Sequence, residues 1–196
     1  MNLAELQAEV ILETKRPDLV ADTLSAVLQA TLKLHNLDFW KKDLLETGIS
    51  FAAARYEQDF EVKTFLPRYR SIAYARAYDN INGTPLKFFT KVDPNNVVDS
   101  YNIARVNIMY QGGAEIHFKY ESEFQHMLFG YWANPVLTDP GYTSWIAEEY
   151  PYAIVHEAAR RIFAKTGNDK KVQTSAQEVA EQVALLRINC ISELGE

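Results

Sequence analysis

Apolar residues recur every third or fourth position at both ends of this chain and every second position through its middle. Leu3, Leu6, Val10 and Ile11 carry helical spacing and predict a short first helix over 3–13. Arg16-Pro17-Asp18 then restarts the chain. Pro17 suits the first turn of a new helix, where its missing N–H costs nothing, and Asp18 suits the positive end of the helix dipole. Val20, Leu24, Val27, Leu28, Thr31 and Leu32 form one stripe, which predicts a helix over 17–35 buried along that stripe.

Between 44 and 133 the period drops to two, in short segments. Tyr56 to Val62 alternates aromatic or apolar residues with acidic ones, and Ile72, Tyr74 and Tyr78 share a face in the segment Arg70 to Tyr78. The clearest unit runs from Ile103 to Tyr120. Ala104, Val106, Ile108 and Tyr110 oppose Arg105 and Asn107. After Gln111-Gly112-Gly113-Ala114, residues Ile116, Phe118 and Tyr120 oppose Glu115, His117 and Lys119. Paired glycines between alternating strands predict a tight hairpin, because such turns need positive φ. Asn82-Gly83-Thr84-Pro85 and Asp93-Pro94-Asn95-Asn96 read as turns, and a last strand is expected around Met127 to Trp132.

The helical period returns after Asp139-Pro140-Gly141. Thr143 or Ser144 can cap a helix whose face carries Ile146, Tyr150, Ile154, Ala158 and Ile162, with Pro151 kinking or dividing it. Gly167-Asn168 supplies a stop, and a final helix is expected from about 174 to 193, with Val179, Val183, Leu186 and Cys190 on one stripe. Two helices, five to seven strands and two further helices predict an α+β fold. The segments 1–43 and 140–196 are expected to be helical and 44–135 β-rich, within a single domain over 1–196.

Composition narrows the function classes. Apolar residues make up 47% and charged residues 23%, enough for a sizeable core. The net charge of -6 argues against a grip on nucleic acid, which needs a basic surface to release phosphate counterions. A lone cysteine, Cys190, excludes an intrachain disulfide and suits a reducing compartment. The N-terminus lacks the layout of a signal peptide, and no apolar run approaches the roughly 18 residues of a membrane span. A protein made and kept in a cytoplasm, without membrane contact, is the expectation.

Local motifs point away from catalysis. His156-Glu157 opens like a zinc-protease helix, but Arg160 stands where the second histidine is required. His156 is therefore expected on a polar helix face with Glu149 and Arg160, and His117 and His126 on sheet surfaces. Glu148-Glu149 diverge on a helix, and Cys190 lies on an apolar stripe with no base beside it. No catalytic residue, cofactor site or metal site is predicted, and the chain is expected not to be an enzyme. The connection Phe129 to Pro135 and Gly141 to Ile146 is unusually aromatic. It is expected to seat the sheet on the helices, with Phe129, Tyr131, Trp132, Tyr142 and Trp145 also candidates for a subunit or partner interface.

Four stretches in order carry a family resemblance: Thr14 to Leu19, Leu66 to Arg70, Tyr142 to Ala147 and Pro151 to Arg160. Together they resemble the head-to-tail adaptor (connector) proteins of tailed bacteriophages. The resemblance implies a helical bundle carrying a β-rich insertion, assembled as a ring, commonly of twelve copies. It further implies docking below the portal protein, contact with a tail or nozzle protein, and a place in the virion along the channel through which DNA leaves. The end of the last helix, with Ile191 and Leu194, is the expected portal contact. Two other classes stay open: a small-ligand or regulatory module with an aromatic pocket, and a glycan hydrolase, which needs two carboxylates converging in a cleft.

Overall fold

Asn2 and Glu5 open the first helix by capping each other's backbone N–H groups, both at 2.9 Å. In a computed structural model, which describes residues 1–80, 82–98, 103–139 and 141–190, this helix is α1, Leu3–Thr14. The chain then forms α2 (Val20–His35), β1 (Leu44–Glu61), α3 (Val62–Phe65), β2 (Tyr69–Tyr78), β3 (Pro85–Phe88) and β4 (Thr90–Lys91). It continues through β5 (Ile108–Gly112), β6 (Glu115–Ala133), α4 (Trp145–Glu149), α5 (Pro151–Lys165) and α6 (Asp169–Cys190). The fold is α+β, and no described helix is long and apolar enough to cross a membrane.

The chain divides into two compact units, one of Met1–Asp43 with Asn134–Glu196, the other of Leu44–Ala133. In the first, α2 packs on α1 and α5, and α5 packs on α6. The α2 helix differs from expectation in two ways. It starts at Val20, because Arg16 clasps Asp18 with two hydrogen bonds of 2.8 and 2.7 Å and holds Pro17 in the preceding turn. Its buried face is also rotated from the expected stripe: Val27 and Thr31 point inward as expected, joined by Thr23, Ala26, Ala30 and Leu34, while Val20, Leu24 and Leu32 stand exposed. Small residues let helix axes approach closely, so the alanine face took the core position. Thr23 and Thr31 can be buried because each hydroxyl donates to a carbonyl one turn back, at 2.7 and 2.9 Å.

Pro151 divides the next helical run, ending α4 and opening α5 as a first-turn proline. Ser144 caps α4, accepting from the Ala147 N–H at 3.2 Å. Gly167 stops α5 at φ 71°, and α6 begins five residues earlier than its apolar stripe suggests, because Asp169-Lys170-Lys171 is polar on every side. The expected portal-contact residues Ile191 and Leu194 lie outside the described residues.

The second unit is a six-stranded sheet centred on β6. β1 pairs antiparallel along one edge of β6; on the other edge β2 pairs with residues 126–133 and β5 with 115–119. β3 extends β2, and β4 pairs parallel with β5. Six strands form, within the expected number, but two of them, β1 and β6, are long, at 18 and 19 residues. Exposed stretches, Ala52 to Glu57 in β1 and Glu121 to Glu123 in β6, interrupt the alternation without ending the strands. The predicted hairpin forms, with Gly113 at φ 64° between β5 and β6. Its first strand is shorter than expected, since Asn107 at φ 57° breaks the extended run and leaves Ile103 and Val106 exposed. A register shift between Ile72 and Tyr74 likewise turns Ala75 and Ala77, rather than Tyr74 and Tyr78, to the buried side. Gly130 opposes Tyr74, and a Cβ there would lie 2.3 Å from the tyrosine ring, so only glycine admits that ring.

Candidate functional site

The expected interface residues fall into two groups. Phe129, Tyr131 and Trp132 lie near the end of β6, where it is paired along both edges, and all three side chains are buried within the chain. Trp145 is half-buried and packs against the helical core, and Tyr142 is half-buried in the turn that leads to α4.

Trp145 completes a cluster that the pattern of residues did not announce. Its indole Nε1–H donates to Asp43 Oδ1 at 2.7 Å, and His35 Nδ1 lies 2.9 and 2.8 Å from the two oxygens of the same carboxylate. Because an ionised carboxylate only accepts, Nδ1 carries the proton. Trp40 seals the cluster from above, edge-on to Trp145 at 6.1 Å, with its Nε1–H donating to Leu34 O at 2.8 Å. Lys42 lies 5.4 Å over the Trp145 ring and pairs with Glu149. These bonds tie Asp43 to α2 through His35 and to α4 through Trp145, anchoring Lys41–Asp43.

A second polar cluster sits on α5. The buried carboxylate of Glu157 accepts from Arg160 at 2.9 and 2.8 Å and Arg161 at 3.1 Å, and Lys33 of α2 lies 3.0 Å away. Burial pushes this carboxyl up, but the bonds from Arg160 and Lys33 outweigh it and hold it below the usual range. The preceding residue, His156, faces Glu13 of α1 and Glu178 of α6, each 3.3 Å from Nδ1. The Glu13 carboxylate holds the His156 imidazole above its ordinary value, against the opposing effect of burial. Glu149 and Arg160, expected on the same polar face, pair with Lys42 and Glu157.

The sheet carries the other histidines. His117 Nδ1 lies 2.7 Å from Asp59, and Tyr110 stacks on its ring at 4.7 Å. All three contacts follow from register: Asp59 and Tyr110 are the direct partners of His117 on either side, as Glu57 is of Lys119, at 2.8 Å. Among the described residues the groove there is lined by Arg55, Gln58 and Val97 as well, and by no Ser, Thr or Cys. His126 is likewise paired by register, 2.9 Å from Ser50 Oγ.

The helical unit also leaves apolar side chains uncovered. Leu24, Leu28 and Leu32 follow one another at i, i+4 and i+8 along α2, with Leu24 40% and Leu32 37% exposed and Leu28 half-buried. Leu12 of α1 and Leu185 and Ile188 of α6 are exposed as well, Ile188 by 78%. The chain matches no protein-family model and no curated protein sequence.

Proposed function

We propose that this chain is a structural virion protein, a head-to-tail adaptor that assembles as a ring below a phage portal and joins it to the tail. On this reading the helices form a bundle of two N-terminal and two C-terminal members carrying the strands as an insertion. The observation that carries it is the α2 ridge of Leu24, Leu28 and Leu32, of which Leu24 and Leu32 are exposed while Ala26 and Ala30 are buried. A ridge at i, i+4, i+8 is the surface that packs into the groove of another helix, and a second copy of the chain is its natural occupant. The four resembling stretches add the kind of assembly. The net charge of -6 suits a ring through which DNA slides without sticking. The role proposed is structural rather than enzymatic.

Mass photometry of the purified chain, alone and with the portal protein of the same phage, tests this directly. Many copies should add to each portal, in a stoichiometry that reads out the ring size. The double substitution Leu24→Asp/Leu32→Asp should abolish that addition while shifting monomer stability by under about 0.5 kcal/mol per site, as for other surface changes. No association of the native chain with the portal, or full assembly by the double variant, overturns the reading.

A further inference from the structure

Glu13, His156 and Glu178 come from three helices and from positions up to 165 residues apart, yet one ligand atom from each lies within 4.8 Å of the other two. His156 Nδ1 is 3.3 Å from Glu13 Oε1 and 3.3 Å from Glu178 Oε2. Those distances are informative. A charge-assisted N–H···O bond closes to about 2.7–2.9 Å, and Nδ1 has one hydrogen to give to two carboxylates. Donors bound at about 2.0–2.1 Å around a tetrahedral cation stand about 3.3–3.4 Å apart, which is the spacing of both Nδ1–oxygen pairs.

We propose that Glu13, His156 and Glu178 bind one divalent transition cation of the zinc class. The cation takes Nδ1 of the imidazole and one oxygen from each carboxylate, and water fills the fourth position. One nitrogen and two oxygens make a borderline donor set, and a hard cation such as Mg²⁺ or Ca²⁺ demands more oxygens than converge here. Two carboxylates and a neutral imidazole carry the charge that a divalent ion cancels. No Lys or Arg among the described residues pairs with Glu13 or Glu178, since Arg160 and Arg161 are held by Glu157 and Lys171 lies 4.9 Å over the Phe163 ring. Tyr152, one turn before His156, stacks on its ring at 5.9 Å and fixes the ring plane. An open groove lined by Glu13, Lys170, Lys171, Thr174, Ser175 and Glu178 leads solvent to the carboxylates, giving both an entry path and the water ligand. A cation held here ties α1 to α5 and α6, the first helix of the chain to its last two.

Isothermal titration of the full chain with ZnCl₂ at mildly alkaline pH, where protons compete least, should show one site per chain. Thermal melts should rise with Zn²⁺ and stay unchanged with Mg²⁺, and Co²⁺ should give the visible absorption of a tetrahedral N/O site. His156→Gln and Glu178→Gln, checked for folding by circular dichroism without metal, should each weaken Zn²⁺ binding at least about 100-fold. Losing an inner ligand costs more than the 10–100-fold lost with an outer partner. If the native chain takes up no stoichiometric Zn²⁺, or if either variant folds and binds it undiminished, the site does not exist.

Discussion

The two units of this chain solve the problem of an interior with opposite chemistry. Every buried polar or charged residue among the described ones lies in the helical unit: Thr14, Thr23, Thr31, His35, Asp43, Ser144, Glu157 and Ser175. The sheet unit buries rings instead. Phe118 meets Phe60, Phe89 and Phe129 edge-on at 5.6, 5.0 and 5.5 Å, and Phe60 meets Phe129 at 5.2 Å. The backbone explains much of this. Strand pairing uses up the amides and carbonyls, and alternate side chains stand in one layer that large rings fill. Helices packed through Ala26, Ala30, Ala158 and Ala159 leave little room for rings, and threonine hydroxyls there find carbonyls of their own helix. The ionic clusters add specificity, because they are satisfied in one arrangement only.

The comparison breaks most visibly at Phe118. Phe118→Ala should destabilise the sheet by about 3–5 kcal/mol, by loss of burial and of three ring contacts. Hydrogen exchange should show the amides of β1 and β6 losing protection. If those strands stay protected, the rings are not what holds them.

Glu157→Ala comes next, at about 3 kcal/mol, the low end for a broken buried ion pair. Its partners Lys33, Arg160 and Arg161 are 30–39% exposed and can return to water, which limits the loss. The same carboxylate predicts an acid limit. Its folded value lies below the unfolded one near 4.5, so its stabilisation is complete above that value and fades as pH falls through the lower folded one. Acid titration of the native chain should lose a stabilisation there that Glu157→Ala no longer has to lose.

The smallest effect is expected on the sheet surface. Lys119→Ala removes an exposed cross-strand partner of Glu57 and should cost no more than about 0.5–1 kcal/mol. Urea melts of this variant beside Glu157→Ala would sharpen the contrast between a charge on the surface and one inside. Equal losses would erase it.

Period and turn chemistry made the helices α1, α5 and α6, the division at Pro151, the stop at Gly167 and the β5–β6 hairpin legible from residues alone. Strand length was not legible, because Glu121-Ser122-Glu123 is polar and a strand exposed on both faces has no alternation to read. The candidate sites were less legible still. Helical spacing sets His156 beside Glu149 and Arg160, seven and four positions away, whereas the groups that meet it, Glu13 and Glu178, sit 143 and 22 positions off. Asp43 gave no signal until His35 and Trp145 were brought to it. The one hint available beforehand was that His35 and Trp145 sit in apolar surroundings, where a polar ring requires a partner.

By itself, then, the order of residues determined which segments are helix and which are strand, since periods of 3.6 and 2 are local properties of a backbone. It also determined where the chain must turn, at Gly113 and Gly167, because only a residue without a Cβ takes positive φ freely. Tertiary structure alone decided which face of α2 is buried, since that depends on how closely α1 and α5 approach it. It also decided which charges meet, because a carboxylate finds its histidine through space, across any distance along the chain.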